Sequence, residues 1–387
     1  MLTLVGTYPP IRCGIATFNR DLRRALLEAG LPAQVAVVAE EADRGLPFPQ
    51  EVRWVVPKDR RRAYRALPAP RPWILQHEYG LYGGRWGEWF LDFLQVNGVK
   101  VVVLHTLFQA PPPGLTQEDA AFMQGLLREI GAGASALVSL HPEGEAFLRG
   151  LGVRAPVVHI PHGVPDLPRP DKEALKRALG LEGAFLLLTY GLLGPGKGIE
   201  FVLKALPRVL GQNPGVRYLV AGSLHPNLER REGRRYLEEL LALAERLGVA
   251  RAFLLKEGYL PEEELYRLVG AADLFLLPYP NLEQVSSGTL SYALALGKAV
   301  LATPFWHARH ALAGGRGILL PPDPEAWAQA ILELSESPFR LKEMEARAYA
   351  HAGVPEGRPG DHPGEGGPAH PGRDPDRDGP HGEALRL

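Results

Sequence analysis

Short apolar segments alternate with amphipathic helical segments through most of this 387-residue chain. Near-continuous apolar strands that alternate with helices predict parallel β-sheets covered by helices on both faces. A chain of this length is long for one hydrophobic core, so two domains are expected. The predicted strands are Leu2–Gly6, Ala33–Ala39, Trp73–Gln76, Val99–His105, Ala136–Leu140, Val157–Ile160, Phe185–Tyr190, Val216–Ala221, Ala252–Leu255, Asp273–Leu277 and Ala299–Ala302. The predicted helices include Thr17–Ala29, Thr116–Ile130, Ile199–Leu210, Arg230–Leu247, Pro261–Val269 and Ser287–Leu296.

A proline-rich segment divides these elements into two sets. Pro161–Asp171 contains four prolines in eleven residues and predicts a stiff linker. We therefore predict one domain at residues 1–165, a second at 166–335 and a terminal helix at 336–350. The tail at 351–387 contains nine glycines and seven prolines but no Ile, Phe, Tyr or Trp. It is predicted to be disordered, and its composition indicates an altered or out-of-frame terminus.

Composition argues against several classes of function. The formal net charge of −1 gives no support for a nucleic-acid partner. The single cysteine, Cys13, excludes an internal disulfide framework and a cysteine-rich metal site. No stretch approaches the ~20 apolar residues that span a membrane, and the first residues resemble a strand rather than a secretory signal. We expect a cytoplasmic protein whose basic cluster, Lys58–Arg62, is a solvated helix start, with at most peripheral contact with an anionic lipid or polymer. The excess of arginine over lysine fits a thermophile or a GC-rich genome.

A glycine-rich turn with one lysine, Lys197, joins the strand Phe185–Tyr190 to the helix Ile199–Leu210. Such a turn directs the free N–H groups of a helix and a cation to one spot, which suits an anion such as phosphate. Two interpretations compete, a P-loop and a loop that binds the diphosphate of a nucleotide sugar. A P-loop needs Ser or Thr after its lysine to bind Mg²⁺, and here Gly198 takes that position. The second interpretation is therefore favoured.

A second helix start suited to phosphate or sugar oxygens lies at Ser286–Thr289. Serine is a good N-cap, and Gly288 allows a ligand to approach the backbone. The competing interpretation is an ordinary cap before a buried helix, because Ala293 and Leu294 are apolar. The Lys197 turn in the same predicted sheet favours a binding role.

Several motifs, in this order and spacing, resemble the family-4 retaining glycosyltransferases of the GT-B fold. In the first half, TYPPIRCGIATF resembles the family's opening loop, and IPHGV resembles its inter-domain segment. The resemblance covers roughly residues 1–335. The motifs of the second half are G-x(5)-KG at Gly191–Gly198, AG at Ala221–Gly222, GYLPEEELYRLVGAAD at Gly258–Asp273, the A-x-A-x-G-K-A-V run ending at Val300, and GRGILLPPDPEAWAQAI.

The resemblance implies an α/β protein of GT-B architecture, with two Rossmann-like, doubly wound parallel-sheet domains that face each other across a cleft. Residues 1–165 would bind the acceptor and residues 166–335 the nucleotide-sugar donor. The implied reaction moves a hexose from the donor to a sugar, lipid-linked sugar or polyol acceptor, with retention and without a metal. No cofactor is expected, because the nucleotide sugar is a co-substrate. A sugar-nucleotide epimerase of the same fold and a non-catalytic protein that binds sugar nucleotides or glycans remain the alternatives.

Two features depart from the family pattern. The arginine usual in the glycine-rich turn is replaced by Leu192, which makes Lys197 the expected cation for the diphosphate. The family's E-x7-E pair aligns with Gln284 and Tyr292, and Glu283 substitutes for the first glutamate only if the loop shifts. Gln284 can still bond sugar hydroxyls, whereas Tyr292 cannot accept from both ribose hydroxyls as a carboxylate does. We interpret this as a divergent donor site, with impaired catalysis as the alternative.

The remaining candidates lie after strands of the first half. His77 follows one predicted strand and His105 ends another. Either histidine alone is as often a satisfied structural residue as a ligand contact, but two such strand ends in one domain favour contact with the acceptor or the donor sugar. The predicted catalytic residues are Lys197, Gln284 and His105. The predicted donor-binding residues are Gly14, Gly191, Lys197, Gly222, Tyr259, Leu260, Glu283, Gln284, Ser286, Ser287, Gly288, Thr289 and Tyr292. The predicted acceptor-binding residues are Gly14, Ile15, Gln76, His77 and Glu78, and no metal ligand is predicted.

Overall fold

Two parallel sheets form the framework of the protein in a computed structural model that describes residues 1–67, 72–108, 114–352 and 385–386. The first sheet contains β1 (Leu2–Gly6), β2 (Ala33–Ala39), β3 (Val52–Pro57), β4 (Trp73–His77), β5 (Lys100–Leu104), β6 (Ala136–Ser139) and β7 (Val157–His159). A short strand, β8 (Val164–Pro165), follows it. The second sheet contains β9 (Phe185–Tyr190), β10 (Val216–Gly222), β11 (Phe253–Glu257), β12 (Leu274–Leu277), β13 (Ala299–Ala302) and β14 (Gly317–Leu319). The two-residue strand β15 (Leu385–Arg386) pairs antiparallel with β8.

Helices cover both faces of each sheet. Those that follow strands of the first sheet are α1 (Gly14–Glu28), α2 (Leu91–Leu94), α3 (Gln117–Gly133) and α4 (Gly144–Gly150). The others are α5 (Lys172–Ala178), α6 (Ile199–Gln212), α7 (Pro226–Glu232), α8 (Arg235–Arg246), α9 (Glu262–Ala271), α10 (Gly288–Ala295), α11 (Trp306–Ala311), α12 (Pro324–Glu336) and α13 (Pro338–Ala352). None of the helices in the described residues combines the length and the apolar character needed to cross a membrane.

The order of the strands determines where each sheet can bind a ligand. It is β3-β2-β1-β4-β5-β6-β7 in the first sheet and β11-β10-β9-β12-β13-β14 in the second, with every neighbouring pair parallel. The order reverses between β1 and β4, and again between β9 and β12. Loops after the two strands at such a point diverge and leave a crevice at the carboxyl edge. The Lys197 turn follows β9, so the topology locates it at one of these crevices.

Alternation along the central strands separates two hydrophobic layers in the second half. Leu187 of β9 packs with α6, α8 and α12, whereas its neighbours Leu186 and Leu188 pack on the opposite face with α9, α10 and α11. All three leucines are completely buried. The strand is therefore apolar at nearly every position, as expected for a parallel sheet covered on both faces.

Most of the predicted elements are present, and the differences have local causes. The predicted helix Arg230–Leu247 is present as α8, but its predicted start is wrong, because Gly233 (φ 59°) separates α7 from α8. The pattern also misses β3 and β14, two edge strands whose partly exposed residues lack a continuous apolar run. At the predicted helix start Lys58–Arg62 the structure instead has a 3₁₀ helix, Arg61–Arg65.

The predicted division of the chain is tested only in part. The terminal helix begins at Pro338 rather than residue 336 and extends to Ala352. The boundary between residues 165 and 166 stays a prediction; it falls at the end of β8. The predicted tail, 351–387, lies outside the described residues except for residues 351–352 and 385–386.

Substitution of Gly198 by alanine is expected to destabilise the second half. Gly198 has a left-handed backbone (φ 63°), and a Cβ there would lie 1.9 Å from the carbonyl oxygen of Pro278. Strain and overpacking together should cost about 2–5 kcal/mol of unfolding free energy. The matched control is Gly211→Ala on α6, where a Cβ meets nothing within 4 Å. Thermal unfolding followed by circular dichroism should show a lower melting temperature for G198A and an equal or higher one for G211A. Equal melting temperatures for G198A and the wild type would contradict this packing.

Candidate functional site

A cavity of about 340 Å³ opens where the carboxyl edges of the two sheets face each other. One wall comes from the first half, through the loop after β1 and the first turns of α1. The other wall comes from the loops that follow β9, β10, β11 and β12 and from the start of α10. The lining residues from the first half and the hinge are Arg12, Cys13, Gly14, Thr17, Phe18, Arg20 and His162.

The Lys197 turn and the start of α10 meet at this cavity through a chain of polar contacts. The ammonium of Lys197 donates to the hydroxyl of Tyr279 over 2.9 Å and lies 4.6 Å from the centre of its ring. The Tyr279 oxygen lies 2.7 Å from Oγ1 of Thr289, which lies 2.9 Å from the hydroxyl of Ser287. Four side chains from the two loops and the helix start are thus held in one network.

Charge and burial act in opposite directions on Tyr279. Burial alone would raise the pKa of its phenol, but the ammonium of Lys197 and hydrogen bonds from Lys197, Thr289 and Ser287 lower the pKa below the usual value. Tyr279 is 2% exposed. It therefore serves as a rigid polar anchor for the lysine at the cavity wall.

Helix α10 presents its first turn to the same part of the cavity. Ser287 caps the helix by accepting from the N–H of Leu290, and its own N–H donates to Nδ1 of His307 over 2.9 Å. The first N–H groups of a helix, here those of Gly288 and Thr289, have no acceptor within the helix. With the helix dipole and Lys197 they create a positive potential that suits a phosphate group.

Most of the predicted donor-binding residues line this cavity. Gln284 donates from its side-chain nitrogen to the carbonyl oxygen of Ser286 over 2.9 Å, so its amide has a fixed orientation. Glu283 does not line the cavity. The predicted residues that line it are Gly14, Gly191, Lys197, Gly222, Tyr259, Leu260, Gln284, Ser286, Ser287, Gly288, Thr289 and Tyr292.

The other predicted residues of the first half lie behind the cavity wall. The ring of Phe18 packs edge-on against His105 and His162, at 4.9 Å and 5.0 Å between ring centres, and so stands between His105 and the cavity. Nε2 of His105 lies 2.7 Å from the amide oxygen of the buried Gln76. Burial lowers the pKa of His105 to about 3, so it is neutral at physiological pH. Its predicted catalytic role stays a prediction.

The strand end at residues 76–78 faces the interior of the first half rather than the cleft. The ring of His77 is completely buried and packs edge-on against Tyr79 and Phe90, each at 5.0 Å. Glu78 accepts from the hydroxyl of Thr106 and from the backbone N–H of Tyr79. Neither side chain lines the cavity, and neither does Ile15. His77 ends β4 and Glu78 follows it, and both are enclosed because β4 is a central strand covered on both faces.

The two halves also meet through polar contacts at the cavity wall. Tyr292 on α10 donates to Asp21 on α1 over 2.6 Å. Arg20 contacts Asp21 at 2.6 Å and Glu262 on α9 at 2.8 Å. Tyr266 donates to Glu262, and its ring centre lies 5.8 Å from that of Tyr292. Arg20, Glu262, Tyr266 and Tyr292 line the cavity, whereas Asp21 lies behind them. In the described part of the chain, no group of three or more His, Cys, Asp or Glu side chains is arranged to hold a metal ion.

The half of the chain that carries the Lys197 turn resembles a known protein family. Residues 184–337, from β9 to the end of α12, match the family of glycosyl transferases group 1. This segment, about two fifths of the chain, is similar to that family.

Two curated relatives are similar to part of the chain. D-inositol 3-phosphate glycosyltransferase of Segniliparus rotundus is 33% identical over 187 residues, which are 47% of this chain and 39% of the relative. The GDP-mannose-dependent monoacylated alpha-(1-6)-phosphatidylinositol monomannoside mannosyltransferase of Corynebacterium glutamicum is 26% identical over 239 residues, or 58% of this chain and 59% of the relative. The chain thus spans about two fifths to three fifths of the length of these relatives.

Solved structures of low sequence identity share the fold of this chain. Sucrose-phosphate synthase from Thermosynechococcus elongatus superimposes with a TM-score of 0.73 at 19% identity, over 91% of this chain and 93% of that one. HepE from Anabaena, in complex with UDP and glucose, gives 0.67 at 17% identity, over 91% and 94%. WaaG, a glycosyltransferase involved in lipopolysaccharide biosynthesis, gives 0.67 at 18% identity, over 92% and 96%. The predicted GT-B fold is confirmed.

Sequence reasoning misses several residues that line the cavity. Tyr279 could have been found, because it follows β12, the neighbour of β9 at the point where the strand order reverses. Phe18 and Arg20 lie on α1, and the apolar pattern of this helix predicts that it packs on the sheet but not that these two side chains line a cavity. Glu262 carries no signal, because its partner Arg20 is more than 200 residues away in the sequence and the pairing of the two halves is set by the tertiary structure. Tyr266 carries none either, because its role depends on its contacts with Glu262 and Tyr292.

Replacement of His77 by leucine is expected to weaken the acid sensitivity of the fold. Burial lowers the pKa of His77 to about 3. The unfolded chain therefore takes up a proton near pH 6.5 while the folded protein does not, so stability falls as the pH decreases from about 6.5 toward 3. His77→Leu removes this contribution and should make the slope of unfolding free energy against pH shallower, by up to about 1.4 kcal/mol per pH unit. Urea unfolding at pH 7.5, 6, 5 and 4 measures both slopes. Parallel curves for the variant and the wild type would show that His77 is solvated or protonated in the fold.

Proposed function

We propose that this protein is a retaining glycosyltransferase that moves a hexose from a nucleotide-sugar donor to a sugar, lipid-linked sugar or polyol acceptor without a metal ion. The observation that carries the proposal is the convergence of Lys197 and the first turn of α10 on one cavity, within the domain that matches glycosyl transferases group 1. Two findings support the proposal. The curated relatives are named for transfer to an inositol phosphate and to a phosphatidylinositol mannoside, and HepE was solved with UDP and glucose.

In this proposal the phosphate-binding groups stabilise the leaving group. The bond between the anomeric carbon and the diphosphate oxygen breaks, and negative charge accumulates on the diphosphate. Lys197, held by Tyr279, and the N–H groups of Gly288 and Thr289 are aimed at that charge in the resting protein, so little reorganisation accompanies the reaction. Gln284 lies close to the same helix start and donates to or accepts from a hydroxyl of the sugar.

Retention is proposed to follow from attack on the same face that the diphosphate leaves. The acceptor hydroxyl oxygen bonds to the anomeric carbon, and its proton passes to an oxygen of the departing diphosphate. A covalent sugar intermediate would instead need a free carboxylate beside the anomeric carbon. Glu262 is the one acidic side chain among the described residues that line the cavity. Its carboxylate is already engaged, because it accepts from Arg20 and Tyr266.

The acceptor is proposed to enter beside the start of α1. Gly14 lines the cavity on the side of the first half, and nothing lies within 4 Å of where its Cβ would be. The predicted contributions of Ile15, Gln76, His77 and Glu78 to acceptor binding stay predictions, as does the cytoplasmic location.

A panel of donors tests the proposed activity. The protein is incubated with UDP-, GDP- and ADP-sugars, alone and with inositol phosphate, simple sugars or a lipid-linked sugar, and release of free nucleotide is measured. Release that depends on an acceptor, with a product of unchanged anomeric configuration by NMR, is expected. Conversion of the donor sugar without an acceptor would identify an epimerase. Binding without release under any condition would identify a non-catalytic protein.

Loss of the Lys197 ammonium is expected to remove most of the activity. Lys197→Ala leaves the diphosphate with only helix N–H groups, and kcat should fall by about 10²–10³-fold, as for loss of one preorganised charge-stabilising donor. The matched control is Lys204→Ala, an exposed lysine on α6 outside the cavity, which should retain wild-type rates. An unchanged kcat in K197A would remove Lys197 from the mechanism.

Tyr279→Phe tests whether the position of Lys197 matters as well as its charge. The ring contact with the ammonium remains, but the hydrogen bonds to Lys197 and Thr289 are lost. One neutral hydrogen bond contributes about 0.5–1.5 kcal/mol, so kcat should fall about 2–10-fold with a small change in KM. A fall in kcat as large as that of K197A would contradict a supporting role for Tyr279, and so would wild-type kinetics.

A further inference from the structure

We propose that His307, in the first turn of α11, is a positioning residue for the phosphate site: it holds Ser287, the N-cap of α10, and so fixes the helix start that meets the diphosphate. This inference rests on the proposed function. His307 does not line the cavity between the two sheets, so it acts through α10 and not by contact with the ligand. The predicted donor-binding residues include none from α11.

Three hydrogen bonds join the first turn of α11 to the loop that leads into α10. The backbone N–H of Trp306 donates to the carbonyl oxygen of Leu282 over 2.9 Å. The backbone N–H of His307 donates to the carbonyl oxygen of Gln284 over 3.0 Å. The third bond runs in the opposite direction, from the N–H of Ser287 to Nδ1 of His307 over 2.9 Å. The first two bonds join backbone atoms, so the imidazole of His307 makes the contact that a substitution can remove.

The third bond also determines where the imidazole carries its proton. A backbone N–H can only donate, so Nδ1 of His307 is the acceptor and the ring proton lies on Nε2. His307 is 9% exposed and Ser287 is 4% exposed, so water competes little for the bond. Loss of the acceptor would leave the N–H of Ser287 buried without a partner, which costs more than the net contribution of an ordinary hydrogen bond.

Ser287 connects this contact to the groups that face the cavity. Its hydroxyl is the acceptor that caps α10, and it lies 2.9 Å from Oγ1 of Thr289. Thr289 contacts Tyr279, and Tyr279 accepts from Lys197. His307 and Lys197 therefore stand at opposite ends of one chain of hydrogen bonds. Displacement of Ser287 would move the first turn of α10 relative to Lys197.

Preorganisation is the physical reason why such a displacement matters. Helix N–H groups and a cation stabilise an anion best when they are already directed at one point, because no reorganisation accompanies binding. Without the acceptor on His307, the N–H of Ser287 would turn toward another acceptor, and the phosphate would have to restore the helix start. The loss should therefore affect the phosphate-bearing part of the ligand and not the nucleoside.

The competing explanation is that His307 only fills space. Its ring lines a second cavity, of about 80 Å³, which residues of α10 also line. A side chain that only fills space tolerates replacement by one of similar volume. His310 offers a matched control, because it lines the same cavity from the same helix and is exposed.

Three substitutions separate the hydrogen bond from the packing. His307→Leu keeps much of the bulk and removes the acceptor. His307→Asn removes the ring but keeps an acceptor, because Oδ1 of asparagine, like Nδ1 of histidine, is bonded to Cγ. His307→Gln keeps an acceptor but moves it one bond further from the backbone. The hydrogen bond predicts that asparagine is the best replacement, whereas packing alone predicts that leucine is.

The measurement is the affinity for a nucleoside diphosphate and for its nucleoside. UDP, GDP and ADP are titrated by calorimetry, and the tightest binder is compared with its own nucleoside, whose binding is followed by saturation-transfer NMR. His307→Leu and His307→Gln should weaken the diphosphate about tenfold, as expected for a buried N–H that loses its acceptor, with unchanged affinity for the nucleoside. His307→Asn and His310→Leu should stay within about threefold of the wild type.

Each other outcome overturns the inference in a recognisable way. Wild-type affinity of His307→Leu for the diphosphate would contradict it. Equal losses for diphosphate and nucleoside would show that His307 only supports the fold, and His307→Asn as weak as His307→Leu would show that the acceptor does not matter. The proposed function survives all three results, whereas it fails together with the inference if no nucleoside diphosphate binds the wild type. If His307→Leu does not fold, the comparison of His307→Gln with His307→Asn still decides the question.

Discussion

Close contact between backbones at the carboxyl edge of the second sheet is the constraint on which the candidate site depends. A Cβ on Gly222, the last residue of β10, would lie 1.9 Å from the carbonyl oxygen of Gly191, after β9. A Cβ on Gly198 would lie equally close to the carbonyl oxygen of Pro278, after β12. Only glycine allows the loops of three neighbouring strands to touch in this way. Backbone atoms of these glycines therefore form part of the cavity wall. The same close approach of the loops after β9 and β12 brings Lys197 beside Tyr279.

Under the proposed function, this constraint explains how one cation is sufficient for the diphosphate. Leu192 takes the place of a second positive charge in the turn. The fold instead fixes Lys197 against the phenol of Tyr279 and adds the first turn of α10. Fixed dipoles and one oriented cation stabilise an anion well in a cavity partly shielded from water, because they need not reorganise when the charge develops. The first half completes the site through the first turns of α1, which line the cavity.

The sequence predicts the parallel sheets and the phosphate-binding turn because both are local. The strand Phe185–Tyr190 has the same ends in the structure, and Lys197 and Ser286–Thr289 line one cavity as proposed. Contacts between distant segments are not visible in a pattern. The pairing of Asp21 with Tyr292 joins residues 271 positions apart. His77 was predicted at the cleft because it ends a strand, but the central position of β4 buries it completely.

The most direct test of the account is a crystal structure of the protein with the nucleoside diphosphate that it binds. The account predicts the terminal phosphate within hydrogen-bond distance of the Lys197 ammonium and of the N–H groups of Gly288 and Thr289, with the nucleoside directed toward Tyr292. Phosphates bound away from α10, or a nucleotide outside the cavity between the two sheets, would contradict it.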